Sequence, residues 1–175
     1  MAPDLSRIKA FAFDVDGVLT NGGILCTPGG DLWRTYDAKD GFGLRMAMMN
    51  GYTLGVITGG TSTTILDRFL GYGMDMENVH LHSRDKMKDF RAFCSHNGLA
   101  PEEVMYFGDD LPDVAVIRAA GIGVAPADAV QEAKDAADIV AEHPGGKGCI
   151  REMVEKVMKL QGRWVFDTGD YEKKF

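Results

Sequence analysis

Short runs of apolar, β-favouring residues recur along the chain, and each is followed by a Gly/Asp/Thr-rich turn and then by a helical pattern. The runs are Ile8–Phe13, Thr53–Ile57, Val79–His82, Val104–Phe107, Ile122–Val124 and Ile139–Val140. The patterning predicts helices over Gly41–Asn50, Thr63–Tyr72, Lys86–Asn97, Asp113–Ala119, Ala127–Ala136 and Gly148–Gln161. Strands that alternate with helices imply a parallel sheet covered on both faces, and right-handed crossovers then give an α/β, doubly wound, Rossmann-like fold. One stretch breaks the alternation. Gly22-Gly23-Ile24-Leu25-Cys26 and Asp31–Tyr36 flank the turn Thr27-Pro28-Gly29-Gly30, which predicts a projecting β-hairpin flap over about residues 21–36. Its apolar Ile24, Leu25, Leu32 and Trp33 call for a partner surface, either the parent domain or another copy of the chain. Residues 1–162 read as a single domain and 163–175 as a C-terminal tail with Trp164, Phe166, Tyr171 and Phe175.

Composition narrows the class. The 175 residues suit one domain with a full core, and 45% hydrophobic with 26% charged residues is ordinary for a soluble protein. The net charge of -7 argues against nucleic acid or an anionic membrane as partner. No apolar run approaches a membrane span, and the N-terminus carries no signal-peptide pattern. The three cysteines, Cys26, Cys94 and Cys149, offer neither a disulfide framework nor a zinc spacing, so a reducing cytoplasm is expected. In so acidic a chain, an anionic substrate has to be met by a local cation.

The chemistry gathers at strand tips. The first run ends in Asp14-Val15-Asp16-Gly17, two carboxylates two residues apart on extended backbone, which point to one side and can converge on one centre. A hard cation such as Mg²⁺ is the usual partner of clustered acids, and a nucleophilic carboxylate beside a general acid is the minimum equipment for phosphoryl transfer. The second run ends in Thr58-Gly59-Gly60, where a hydroxyl and exposed N–H groups can meet an oxyanion; the same tripeptide also makes ordinary turns. Lys86 stands in the first turn of a predicted helix, against the dipole, which suggests that it faces an anion. The fourth tip is Gly108-Asp109-Asp110, with Asp113 closing the turn as an N-cap or as a partner for Lys86.

In this order, these residues resemble the haloacid dehalogenase superfamily of phosphohydrolases, whose four motifs match Asp14-Val15-Asp16-Gly17-Val18, Thr58, Lys86 and Gly108-Asp109-Asp110. The resemblance covers nearly all of the chain. It implies that Asp14 attacks phosphorus, that Asp16 protonates the leaving group and then activates water, and that Thr58 and Lys86 hold phosphoryl oxygens. It further implies Mg²⁺ on Asp14, the Asp16 carbonyl and Asp109, with Asp110 nearby or acting through water. The intervals between motifs leave no room for a cap domain, and uncapped members usually borrow a lid from a neighbouring subunit. Within the uncapped group the chain is similar to the 3-deoxy-D-manno-octulosonate 8-phosphate phosphatases in Asp14–Gly22, Lys39–Gly43, Ile57–Gly59, Gly108–Asp113 and Pro144–Glu152. That likeness implies a phosphorylated sugar acid as substrate, a place in lipopolysaccharide precursor synthesis, and a homotetramer whose hairpins and tails complete each other's sites. Many relatives have Thr-Gly-Arg at the second motif, where this chain has Gly60. A nine-carbon analogue, 2-keto-3-deoxynononate 9-phosphate, is the alternative substrate, and a non-catalytic oligomerisation module the remote one. The candidate substrate-binding residues are Lys39, Asp40, Gly59, Arg68 and Lys86, and the candidate cations for the sugar acid's own carboxylate are Lys39, Arg68 and Lys147.

Overall fold

Strand β1 (Ala10–Phe13) sets the plan of the molecule: Phe11 and Phe13 face one side of the sheet, Ala10 and Ala12 the other, and all four are buried. The computed structural model describes residues 3–166. After β1 come a small hairpin, β2 (Leu25–Cys26) and β3 (Leu32–Trp33), then α1 (Ala38–Met49), β4 (Thr53–Ile57), α2 (Thr63–Leu70) and β5 (Val79–His80). The second half runs α3 (Lys86–Asn97), β6 (Val104–Phe107), α4 (Val114–Ala119), β7 (Ile122–Ala125), α5 (Gln131–Ala136), β8 (Ile139–Val140) and α6 (Cys149–Leu160). The main sheet has six parallel strands in the order β5-β4-β1-β6-β7-β8, so the chain starts at the centre and winds outwards in both directions. The hairpin is a separate two-stranded antiparallel unit. The four tips that carry the motifs therefore lie side by side, because β4, β1 and β6 are adjacent and β5 flanks β4.

Two cores sandwich the sheet. Phe11, Phe13, Leu54, Val56, Met105 and Phe107 pack against α1, α2 and α6. On the other face Ala10, Ala12, Val104 and Tyr106 meet α3, α4 and α5. Small residues on that second face let the helices come close. A Cβ at Gly55 would lie 2.6 Å from the Phe93 ring, and one at Gly123 would overlap the Ile117 backbone.

The expected element order and parallel sheet hold, and several ends move for visible reasons. Helix α1 starts three residues earlier than expected, because the Asp37 carboxylate accepts the Lys39 and Asp40 N–H groups as an N-cap. Strand β5 stops at His80, two residues short, because His82 takes φ 54° and turns the chain. The segment before α5 is held open: Ala127 N–H donates to the His143 carbonyl and Val130 N–H to the Asp109 carbonyl. The strands of the hairpin are only two residues each, while Leu25 and Trp33 remain more than half exposed. At the start of the expected tail, Trp164 packs on the domain with the Arg151 guanidinium 4.6 Å from its ring centre, and Phe166 meets Phe42. Tyr171 and Phe175 lie outside the described residues.

Candidate active site

Lys86 holds the site together. Its ammonium lies 2.9 Å from Asp14 Oδ2 and 2.7 Å from Asp113 Oδ1, and the lysine and both acids are buried. Burial alone would pull the ammonium's pKa down, but the two carboxylates outweigh it and the net displacement is upward. Lys86 is thus a fixed cation beside Asp14. Asp113 is saturated: Oδ1 also accepts the Tyr106 hydroxyl at 2.6 Å, and Oδ2 faces the Asp109 and Asp110 N–H groups at 3.3 and 3.4 Å. Its expected role as side-chain cap of α4 is not the one it plays, since its carboxylate turns inward to Lys86 and Tyr106.

Asp14, at the end of β1, projects into a cavity of about 420 Å³ that is also lined by Asp16, Thr58, Gly59, Gly60, Arg84, Lys86 and Asp109. Carboxylate oxygens of Asp14, Asp109 and Asp113 lie within 4.8 Å of one another. Burial pushes the Asp14 carboxyl up to about 6 against the pull of Lys86. Burial, then repulsion from Asp14 and Asp113, pushes Asp109 up to about 7. Asp109 Oδ1 is buried with no hydrogen-bond donor. An orphaned carboxylate oxygen beside a second crowded carboxylate fits a divalent cation, which would relieve both. Asp14 and Asp109 are the donors free to hold it, because Asp113 is already spent on Lys86 and Tyr106. Asp110 lines the same cavity from its exposed edge, and its Oδ1 accepts Leu111 N–H at 2.7 Å, so it also caps the turn after β6.

The turn after Asp14 is shaped for this approach. Gly17 sits at φ 89°, and a Cβ there would fall inside the Asp109 carboxylate. The Thr20 hydroxyl accepts Gly22 N–H at 3.1 Å within the same turn. The Gly145-Gly146 loop braces it from outside, with Gly146 N–H donating to the Val18 carbonyl at 2.9 Å. Just after β4, Thr58 is buried and its hydroxyl accepts Gly60 N–H at 3.1 Å, which sets the turn facing Asp14.

The sequence reading left Arg34 unassigned. It follows β3 and reaches back to Asp16 with two prongs, Nε to Oδ1 at 2.6 Å and Nη2 to Oδ2 at 3.0 Å. Its side chain is only 2% exposed. The same guanidinium passes Gly60, where a Cβ would stand 3.3 Å from Nη2. Within the segment the only signal was a cation in an otherwise apolar and aromatic flap.

Four of the substrate candidates sit elsewhere. Asp40 is buried, and its oxygens accept Arg151 N–H at 2.7 Å and Gly148 N–H at 3.2 Å. It caps α6 from a distance. Lys39 and Lys147 are exposed and line a separate groove with His143 and Lys159. Arg68 lies over the Tyr36 and Tyr72 rings, 4.2 and 5.2 Å from their centres, in a neighbouring hollow with Trp33 and Arg34. Gly59 and Lys86 do line the central cavity.

A family model for haloacid dehalogenase-like hydrolases matches residues 65–152. The chain is 34% identical over 159 residues to a 3-deoxy-D-manno-octulosonate 8-phosphate phosphatase of Salmonella typhi, covering 90% of this chain and 82% of that protein. The chain belongs to the haloacid dehalogenase-like hydrolases. Among solved structures of this superfamily, the cobalt-bound deoxy-D-mannose-octulosonate 8-phosphate phosphatase of Haemophilus influenzae superposes with a TM-score of 0.89 at 32% identity, covering 98% of this chain and 96% of that one. The Moraxella catarrhalis 3-deoxy-D-manno-octulosonate 8-phosphate phosphatase, solved with magnesium, phosphate and KDO, gives a TM-score of 0.87 at 29% identity, covering 91% of each chain. The α/β sheet and the phosphohydrolase motifs are thus those of haloacid dehalogenase-like enzymes, and the chain is a phosphomonoester hydrolase.

Proposed function

We propose that the chain is a Mg²⁺-dependent phosphatase that hydrolyses 3-deoxy-D-manno-octulosonate 8-phosphate to the free sugar acid and phosphate. The observation that carries this reading is the buried Lys86–Asp14 pair beside the orphaned Asp109 oxygen, in a chain so similar to phosphatases of that substrate. Asp14 Oδ attacks phosphorus in line, the bond from phosphorus to the sugar oxygen breaks, and the leaving oxygen takes a proton from Asp16. In the second half, water attacks the Asp14 phosphoryl group while Asp16 takes its proton, which frees phosphate and restores the carboxylate. Lys86, Thr58 and the N–H groups of Gly59 and Gly60 hold the phosphoryl oxygens. Mg²⁺, held by Asp14, the Asp16 carbonyl and Asp109, supplies charge neutralisation at the phosphoryl group. Arg34 holds Asp16 in place on the leaving-group side.

The proposal extends to assembly and compartment. Ile24, Leu25 and Trp33 on the hairpin are exposed apolar residues, and the described residues form no cap domain over the site. Four copies of the chain, each covering a neighbour's site with its hairpin and tail, would bury them. The product would serve lipopolysaccharide precursor synthesis in the cytoplasm. Sedimentation tests the assembly; a monomer at micromolar concentration contradicts it. Phosphate release with Mg²⁺ from the eight-carbon and nine-carbon keto-acid phosphates, side by side, tests the substrate. Preference for the eight-carbon ester is expected. Preference for the nine-carbon ester keeps the mechanism and replaces the substrate.

A further inference from the structure

A sugar-acid phosphate brings two anions, and the cavity over Asp14 accounts for only one of them. Lys86 is spent on Asp14 and Asp113, Arg34 on Asp16, and Arg68 lies over two tyrosine rings in the next hollow. Arg84 is the exception. It lines the central cavity, is exposed, and makes no ion pair with any of the described residues. Gly59 and Gly60 line the same cavity and add no side chain to it.

The loop that carries Arg84 is fixed to the catalytic turn. His82 N–H donates to the Gly60 carbonyl at 2.9 Å and Ser83 N–H to the Thr58 carbonyl at 2.9 Å. His82 sits in the left-handed region, the Ser83 hydroxyl is bonded to Asp89, and Asp85 caps α3 through Lys88 N–H at 3.0 Å. The backbone on both sides of Arg84 is therefore held at a set distance from Thr58, while its side chain has no ion-pair partner among the described residues. The surroundings are acidic, with Asp16, Asp109 and Asp110 lining the same space. A second carboxylate entering there needs a dedicated cation, and a guanidinium matches a carboxylate with two parallel bonds.

We infer that Arg84 is the specificity-determining residue that pairs with the substrate's carboxylate while the phosphoryl group lies on Asp14. The inference rests on the sugar-acid reading above. The test is steady-state kinetics with Mg²⁺ for the unsubstituted protein, Arg84→Gln and Arg84→Lys. The substrates are 3-deoxy-D-manno-octulosonate 8-phosphate and a pentose 5-phosphate, a primary phosphate ester with no carboxylate. Arg84→Gln is expected to raise KM for the keto-acid ester roughly 10- to 100-fold, the loss of one charge-assisted pair, with kcat nearly unchanged. It should leave kcat/KM for the pentose ester within about twofold, and Arg84→Lys should fall between. Equal losses on both substrates, or undiminished preference for the keto-acid ester in Arg84→Gln, would overturn the inference and leave the proposed function standing. No preference in the unsubstituted protein would overturn the sugar-acid reading and this inference with it, and that failure is visible before any substitution is made.

Discussion

Arg34 and Asp16 form a two-pronged ion pair, 2.6 and 3.0 Å long, across 18 residues of sequence. It ties the flap to Asp16, the side chain proposed above to donate the leaving-group proton. A lysine keeps the charge but cannot reproduce the fork. Arg34→Lys should lower kcat about tenfold and Arg34→Ala about 100-fold, the scale of a misplaced catalytic group. Melting curves should change little, because Asp16 keeps access to solvent. Wild-type turnover in Arg34→Ala would show that Asp16 needs no such support.

Lys86 makes a harsher prediction. Removing it leaves Asp14 and Asp113 buried with no cation between them. Lys86→Met should cost about 3–5 kcal/mol of stability in addition to abolishing turnover, the usual penalty for breaking one side of a buried pair. Denaturant titration at neutral pH without metal reads this directly. A loss below about 1 kcal/mol would mean that the acids discharge by taking up protons instead.

Asp40 separates a structural role from a substrate role. Its carboxylate accepts the first N–H groups of α6, so Asp40→Ala should lower stability by about 1–3 kcal/mol. KM for the sugar-acid ester should stay within about twofold. A rise in KM with unchanged stability would return Asp40 to the list of substrate contacts.

The pH dependence follows from the two crowded carboxyls. Without a cation, the folded protein keeps protons on Asp14 to about 6 and on Asp109 to about 7. The unfolded chain releases them at about 4. The native state binds more protons across that window, so stability falls as pH rises through it. A divalent cation competes with those protons. The gain in melting temperature on adding Mg²⁺ should therefore be small near pH 5 and grow towards pH 8. Thermal scans at several pH values with Mg²⁺ or chelator check this, and a gain that does not vary with pH would place the ion elsewhere.

The strand tips were legible because the residues that make the sheet also announce the site. Continuous apolar runs lead into Asp14, Thr58 and Gly108-Asp109, and a parallel sheet has to bring such tips together. Lys86 was legible because a cation in the first turn of a helix has to answer to an anion. Asp40 and Arg34 were not. Both act across folds of the chain, Asp40 on α6 more than 100 residues away and Arg34 from a flap whose position no local pattern sets. The repeat in Gly108-Asp109-Asp110 hides a division of labour. Asp109 faces Asp14, while Asp110 turns to cap the next residue's N–H.

The central claim is that Asp14 carries the phosphoryl group. The most direct measurement is rapid quenching of a single turnover, followed by reduction of the acyl phosphate with tritiated borohydride, which expels phosphate and leaves tritium-labelled homoserine, and then peptide mapping. Label on the peptide that holds Asp14, and none in Asp14→Asn, is the predicted result. Full phosphate release with no trapped Asp14, or turnover that survives Asp14→Asn, would contradict it.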